Sequence, residues 1–592
     1  MKTFIKKDWL FLGILLIQLF VLIFTFAFFK QGYHSDELYE YGFANSYNLR
    51  VLEMDNNGVG LDRQWTDSNE LLKYISVEKD HRFSYSNIFK HASMDYYNPP
   101  LKLFLLHTIC SFFPGIFSKW FSFSINIVSF IVIQVFLYLL VKKMTKSIPA
   151  AIACISLFGF GAGCFNSMMF LRMYAMGMAL GTVFLYYSYL YFINEQKKKS
   201  IIYLIISFLS LFAGAYTLHL FLVYAFPIVL IICISYLILK KIKKMFAYGF
   251  TCLGAVILSF LAFPQTVNDT MQSVDSYSYS ISKYSDFMQF RIYTFLATME
   301  NFGFHTSMYA NPWIKNSIAI FLFLAILSVP LFILFRKEEW FKNFLKKFKN
   351  KVAINAKEIG AGFVFLIACI VCTFFVIYIA SVRTSIYTMN IKYSTRYIYL
   401  VFPCLCVFAT VTFFYIIKFL IPNKKIISVI VVSVALFLAS ISQLLNYEPY
   451  LMIYEKEGVT LDQIEPDANC YILLLSNWFM VSLSNELYDT NSFYFVNYGN
   501  YENETDCFKN VDRDKPLYFI LDCSLVITDE VQEIMDDDPD SMYNLAYSDV
   551  MIKEEDIINH YESLDDVESL EFVGKDCIFD RTLRIYKVIL SE

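Results

Sequence analysis

WLFLGILLIQLFVLIFTFAFFKQGYHSDELYEY, residues 9–41, sets an apolar run of membrane length directly against an acid-bearing polar one. Residues 9–29 carry no charge, and a helix of that length covers the ~30 Å hydrocarbon core of a bilayer. After four intervening residues comes His34-Ser-Asp-Glu-Leu-Tyr-Glu-Tyr41, so Asp36 and Glu37 stand just outside a first span. Carboxylates at a bilayer edge cost little while they face water. They become informative when other polar groups of the chain come to the same depth.

Working outward, the composition is that of a polytopic membrane protein with soluble mass attached. Of 592 residues, 57% are hydrophobic and 17% charged, against ~45–50% and ~25% for a soluble domain. The net charge of −4 hides an asymmetry. Basic residues sit in short clusters between apolar runs, and acids outnumber bases from 446 onward. That acidic tail reads as a solvated domain and excludes a nucleic-acid binder.

Apolar runs of about twenty residues fall at 9–29, 117–141, 148–166, 174–194, 200–218, 219–239, 245–264, 314–335, 359–381, 397–419 and 425–445, about eleven spans. Lysine and arginine favour cytoplasmic connections. Lys2, Lys6 and Lys7, then Lys142-Lys143, Lys197 to Lys199, Lys240 to Lys244, Arg336 to Lys357 and Lys424-Lys425 all fall on one side in this count. The expected topology is a multi-pass protein of the cell membrane, N-terminus cytoplasmic and C-terminal domain extracytoplasmic. The first run is longer than a secretory signal core and lacks a small-residue cleavage site, so it is expected to remain as a span. Residues 99–113 are too short to cross and are expected to lie as a helix along the outer surface.

The predicted fold is therefore an α-helical membrane domain, 1–445, with outer loops at 30–116 and 265–313, followed by an α/β domain at 446–592. In the latter, Cys470 to Ser476, Phe493 to Val496 and Leu517 to Leu521 read as strands, with helix-compatible stretches at 479–489 and 528–536. A hairpin over 572–577 and 583–588 closes it. Cys470, Cys507, Cys523 and Cys577 lie outside the membrane and permit disulfides, but no Cys-x-x-Cys spacing suggests zinc. Asn503-Glu-Thr505 is a three-residue glycosylation sequon.

Several polar groups fall at the expected outer face. Asp36 and Glu37 read either as a solvated helix start or as a general base at a membrane cavity. Asn98-Pro99-Pro100 opens a helix, and Lys102 just after it either meets a lipid phosphate or snorkels. Arg172, in Phe170-Leu-Arg-Met-Tyr174, runs against the positive-inside tendency and calls for an anionic partner. His219, in Tyr216-Thr-Leu-His219, sits in a tight turn between spans. Arg383, Lys392, Tyr393, Arg396 and Tyr397 form a basic outer segment suited to a phosphate leaving group. No Gly-rich phosphate loop, Gly-x-Ser-x-Gly or His-Glu-x-x-His occurs. Charges in mid-span are scarce, which argues against an ion-coupled transporter.

Taken in order, HSDELYEY, NPPLKLFLLH, RMYAM, YTLH and TRYIYLVFP resemble the motifs of the GT-C superfamily of integral membrane glycosyltransferases. The likeness is to the family 39 branch of protein O-mannosyltransferase-like and aminoarabinose-transferase-like enzymes, and it covers about 30–260 and 390–420. Asn98 departs from the His or Glu that many relatives carry before Pro-Pro, and the C-terminal region matches no family motif. The resemblance implies an inverting transfer of a sugar from a polyprenyl-phosphate donor to a lipid, glycan or protein acceptor. Asp36 would be the general base, with Glu37 orienting it or binding acceptor. Lys102, Arg172 and Arg396 would meet the phosphate, aided by Tyr174, His219 and Tyr393. No cofactor is named by the sequence, and a divalent metal is left open. The competing expectations are a transporter or flippase for a lipid or polysaccharide, and a non-catalytic receptor or assembly factor.

Overall fold

Apolar helices, a mixed seven-stranded sheet and a small two-stranded sheet are the main elements of the described residues. The computed structural model describes residues 8–52, 60–94, 99–265, 339, 343, 360–386, 395–421, 423–445, 449–454, 456–476, 479–537, 551–578 and 581–591. These divide into two compact units that interleave in sequence. The first comprises Met1–Ala27, Ser93–Lys102 and Phe123–Pro449, and the second Phe28–Ala92, Leu103–Ser122 and Tyr450–Glu592.

Among the described residues, nine helices are long and apolar enough to cross a membrane. They match nine of the eleven runs read from the sequence. The run at 314–335 lies outside the described residues. The run at 148–166 is broken, forming Ile148–Gly159 and Ala162–Met169 at an angle of 52°, where a single straight span was expected. Its cause is local. Gly159 and Gly161 flank the break, and buried amides satisfy the disturbed backbone there. Gln18 Nε2 and Gln134 Nε2 both donate to the Ile155 carbonyl, at 2.9 and 3.3 Å. The Ala162 amide donates to Ser442 Oγ at 3.0 Å. These groups are neutral, so the break is a packing device of the kind polar residues supply between membrane helices.

The second unit is built on a seven-stranded sheet of order β1-β4-β3-β5-β9-β8-β2. Its strands are β1 (Thr66–Asp67), β2 (Glu457–Gly458), β3 (Asn469–Leu474), β4 (Ser492–Asn497), β5 (Leu517–Asp522), β8 (Val567–Ile578) and β9 (Arg581–Leu590). A small second pair joins β6 (Val526–Ile527) to β7 (Ile552–Lys553). The core strands β4, β3 and β5 run parallel, and every residue of β3 and β5 is buried. That explains their unbroken apolar sequence, since a parallel strand is covered on both faces. The expected closing hairpin is β8–β9, and Met480–Leu487 and Asp529–Asp537 supply the expected helices. One face carries an aromatic core of Tyr471, Phe508, Phe519, Tyr561 and Tyr586. No disulfide joins Cys470, Cys507, Cys523 or Cys577.

Strand β1 comes from the first connecting segment, far from the rest of the sheet in sequence. Thr66 and Asp67 pair with Phe493 and Ser492 of β4. Trp65 Nε1 donates to the Cys507 carbonyl at 2.7 Å, Arg63 Nε meets Glu504 Oε1 at 2.6 Å, and the hydroxyls of Ser68 and Thr490 are 2.8 Å apart. The next helix, Asn69–Ile75, packs against Ser35–Asn45. Asn45 Nδ2 donates to the Ile75 carbonyl at 3.0 Å. Gly42 makes this approach possible, because a Cβ there would overlap the Tyr74 ring. Gly42→Ala is therefore expected to cost about 1–3 kcal/mol and to lower the thermal unfolding midpoint. Tyr74→Leu in the same chain should recover part of the loss, and an unchanged midpoint for Gly42→Ala alone would show that the two helices do not pack as described.

Candidate functional site

The acid-bearing segment, in the second unit, owes its geometry to the residue before it. His34 is extended (φ −72°, ψ 142°), and its Nδ1 accepts from the Asp36 amide at 3.0 Å. Glu37 reaches back to accept from the His34 amide at 2.8 Å. This is a reciprocal capping box with histidine in the place usually held by Ser or Thr, and it starts the helix at Ser35. Because Nδ1 accepts, the neutral imidazole carries its proton on Nε2. The 3.9 Å approach of Asp36 Oδ2 to Nδ1 is then not an ion pair.

Glu37 and Lys30 have no side-chain exposure and are 3.0 Å apart. Lys30 Nζ donates to both Glu37 oxygens and to the Tyr450 carbonyl at 2.9 Å. Burial pushes the Lys30 ammonium below the ordinary lysine value, and the Glu37 carboxylate works against that. Glu37 is thus committed to the helix start and to Lys30. Asp36, one residue earlier and about 100° round the helix, has a side chain 29% exposed. The adjacent carboxylates that sequence alone leaves interchangeable have different employments.

One turn along lies Tyr39, whose hydroxyl is raised by burial, then by Tyr74 and Asp36, with Arg581 acting oppositely. It remains a neutral phenol at physiological pH. Arg581 Nη1 pairs with Asp522 Oδ2 at 2.9 Å at the carboxyl end of β5. Its guanidinium lies 3.0 Å from the Phe479 ring centre. Burial lowers Arg581 and the Asp522 charge opposes this. Neither Tyr39 nor Arg581 stands out in the sequence.

The first unit brings four short motifs together at one end of its helices. Lys102, 1% exposed, is the second residue of the helix Leu101–Ser111. Its Nζ donates to the Leu171 carbonyl at 2.5 Å, beside Arg172. The Leu101 amide donates to the Tyr216 carbonyl at 3.2 Å, which ties the same helix start to the turn holding His219. Arg172 is 7% and Tyr174 is 4% exposed. Tyr174 opens the helix Tyr174–Ile193 and meets Tyr399 edge-on, ring centres 6.1 Å apart. Tyr399 lies in the turn Thr395–Val401 that carries Arg396. Gly177 permits this packing, because a Cβ there would stand 3.0 Å from Leu400 and 3.7 Å from Leu218. Asn126 fixes the Arg172 loop from behind, donating to the Met168 and Phe170 carbonyls at 2.9 and 3.0 Å.

So Lys102, Arg172, Tyr174, His219 and Arg396 lie on segments that touch one another. Asp36 and Glu37 belong to the other unit. Tyr393 lies outside the described residues. Arg396 rests against the neighbouring Tyr397, its guanidinium 5.1 Å from that ring centre. The residues missed by sequence reasoning include Lys30, His34, Tyr39, Asn126, Tyr399 and Arg581. Only Asn126 carried a signal, as an amide within an apolar run. Among the described residues, no group of three or more His, Cys, Asp or Glu side chains is placed to hold a metal ion.

No protein-family profile matches the chain, and no curated protein matches it. Among solved structures, it is similar to ArnT from Cupriavidus metallidurans bound to undecaprenyl phosphate. That match has 10% identity and a TM-score of 0.37 and covers 98% of each chain. The apo state of the same protein matches at 10% identity and a TM-score of 0.33, covering 97% of each. At these values the likeness assigns neither a family nor a substrate.

The Lys30–Glu37 pair yields a measurable expectation. Losing one partner of a buried pair strands the other charge, at a cost of about 3–5 kcal/mol. Lys30→Met and Glu37→Gln should each lower unfolding stability on that scale or near it, while the two substitutions together should lose much less than the sum. Full additivity in that double-mutant cycle would mean that the pair is not what anchors the helix.

Proposed function

We propose that the chain transfers a sugar from a polyprenyl-phosphate donor to an acceptor hydroxyl at the outer face of the membrane, with inversion. The observation that carries the reading is the gathering of Lys102, Arg172, Tyr174, His219 and Arg396 segments at one end of a unit made of membrane-length helices. Cationic side chains grouped at the end of such helices are suited to an anionic ligand, and a phosphate held at the membrane surface by its own lipid is one. The ordered likeness of these motifs to GT-C glycosyltransferases points the same way.

In this reading Asp36 is the base, because Glu37 is already spent on Lys30 and the helix cap. Asp36 takes the proton of the acceptor hydroxyl. The acceptor oxygen bonds to the anomeric carbon as the bond from that carbon to the phosphate oxygen breaks. The electron pair leaves with the polyprenyl phosphate. Lys102, Arg172 and Arg396 balance its charge, with His219, Tyr174 and Tyr393 shaping the donor site. A carboxylate is a modest base for an alcohol, so positioning and stabilisation of the leaving charge supply most of the rate. Outer-face orientation, with the N-terminus cytoplasmic, is part of the same proposal. The acceptor is a lipid, glycan or protein.

Membranes containing wild type or Asp36→Asn, at matched expression, would be given labelled polyprenyl-phosphate sugars and envelope acceptors. Transfer by wild type, reduced about 10²-fold or more in the variant, is the expected result. Equal transfer would remove Asp36 from the role of base. Absence of transfer by wild type over a broad donor and acceptor set would favour lipid transport or a receptor function instead.

A further inference from the structure

We infer that the first connecting segment carries a binding site for one neutral sugar ring, separate from the groups assigned to transfer. A cavity of about 210 Å³ opens between Ser46–Val51 and residues of 70–81 in the second unit. It has room for several waters, and its walls are chiefly polar. Tyr47, Arg50, Glu70, Lys73, Glu78 and His81 supply the chemistry.

Charge balance selects the ligand. Among the described residues that line it, the cations Arg50 and Lys73 face the carboxylates Glu70 and Glu78. Glu70 is shared by both cations, at 3.3 Å from Arg50 and 2.6 Å from Lys73. An anion entering the cavity would meet Glu78, and an ammonium would meet Arg50 and Lys73. A neutral polyol meets no such opposition. Its hydroxyls both donate and accept, so they can use the carboxylates and the cations together through charge-assisted hydrogen bonds. Glu78 stands at the start of the short turn Lys79–His81 without capping it, which leaves its carboxylate for the cavity. Tyr47 and His81 stack face to face at 3.8 Å and 12°, so each covers one face of the other, and the outer face of the half-exposed Tyr47 is a surface on which the apolar side of a sugar ring can lie.

The backbone is strained where it serves this surface. Leu49 has φ +52°, a left-handed conformation that a leucine disfavours. It is held there by burial, by its amide donating to Ser46 Oγ at 3.2 Å, and by its carbonyl accepting from Leu52. The residues on either side, Asn48 and Arg50, both line the cavity. Strain kept at such a place is a common mark of a ligand site.

The inference does not rest on the transfer reading, since binding is measured without turnover. If both hold, the cavity receives the glycan part of the acceptor. The test is a titration of the detergent-solubilised full chain with glucose, galactose, mannose and N-acetylglucosamine, followed by saturation-transfer NMR, with inorganic phosphate and ethanolamine as charged comparisons. Saturable binding of at least one sugar is expected, weakened about tenfold or more by Tyr47→Ala and by Glu78→Gln. Tyr47 is 48% exposed, so its truncation leaves the fold intact, which the unfolding midpoint verifies. The inference is overturned if no sugar of the panel saturates, if neither variant weakens binding, or if phosphate or ethanolamine binds more tightly than every sugar.

Discussion

A lysine and a glutamate with no access to water, Lys30 and Glu37, determine how the chain leaves its first span. Removing two charges from water costs several kcal/mol for each ion. Here that cost is offset by near-complete satisfaction. Glu37 accepts from Lys30 through both oxygens and from the His34 amide, while Lys30 also reaches the Tyr450 carbonyl. The pair therefore fixes the start of the helix, its rotation and its attachment to residues 450 onward. The rotation matters most for function, because turning Glu37 inward is what leaves Asp36 on a different face.

The first unit solves a related problem with backbone carbonyls. Loops between membrane helices leave polar groups without helical partners, and each must be met by the protein. Lys102 and Asn126 donate to the carbonyls of Leu171, Met168 and Phe170, which lead into Arg172. The Leu101 amide does the same for the turn before His219. The residues that hold these loops are interleaved with those suited to bind phosphate. Precision in the second group follows from satisfaction of the first.

Much of this was legible in the residues and some was not. Strands β3 and β5 declared themselves because parallel strands covered on both faces need unbroken apolar sequence. Nine spans were legible from length and apolarity alone. The break after Gly159 was hidden, since the groups that meet the backbone there, Gln18, Gln134 and Ser442, are distant in sequence. Strand β1 was equally hidden, because two residues become a strand only through their partner β4. The roles of Asp36 and Glu37 could not be told apart by type or spacing. They differ by a buried cation, Lys30, that reads in sequence as an ordinary lysine at a span's end. Lys102 was weighed as a phosphate ligand or a snorkelling side chain. Its bond to the Leu171 carbonyl adds a third employment, that of a loop anchor.

Trp65 bonds to a residue 442 positions later in the chain. A ribosome adding about 5–20 residues per second needs on the order of 20–90 s to make that interval. During that time the segment around residues 60–68 has left the ribosome while the sheet it joins does not yet exist. Its tryptophan and its edge-strand backbone are exposed to the same hazards as any unpaired edge. The brevity of β1, two residues beside a charged Arg63, limits what a wrong strand could grip. Completion of this sheet thus waits on synthesis of its last strand, β9, which runs to Leu590.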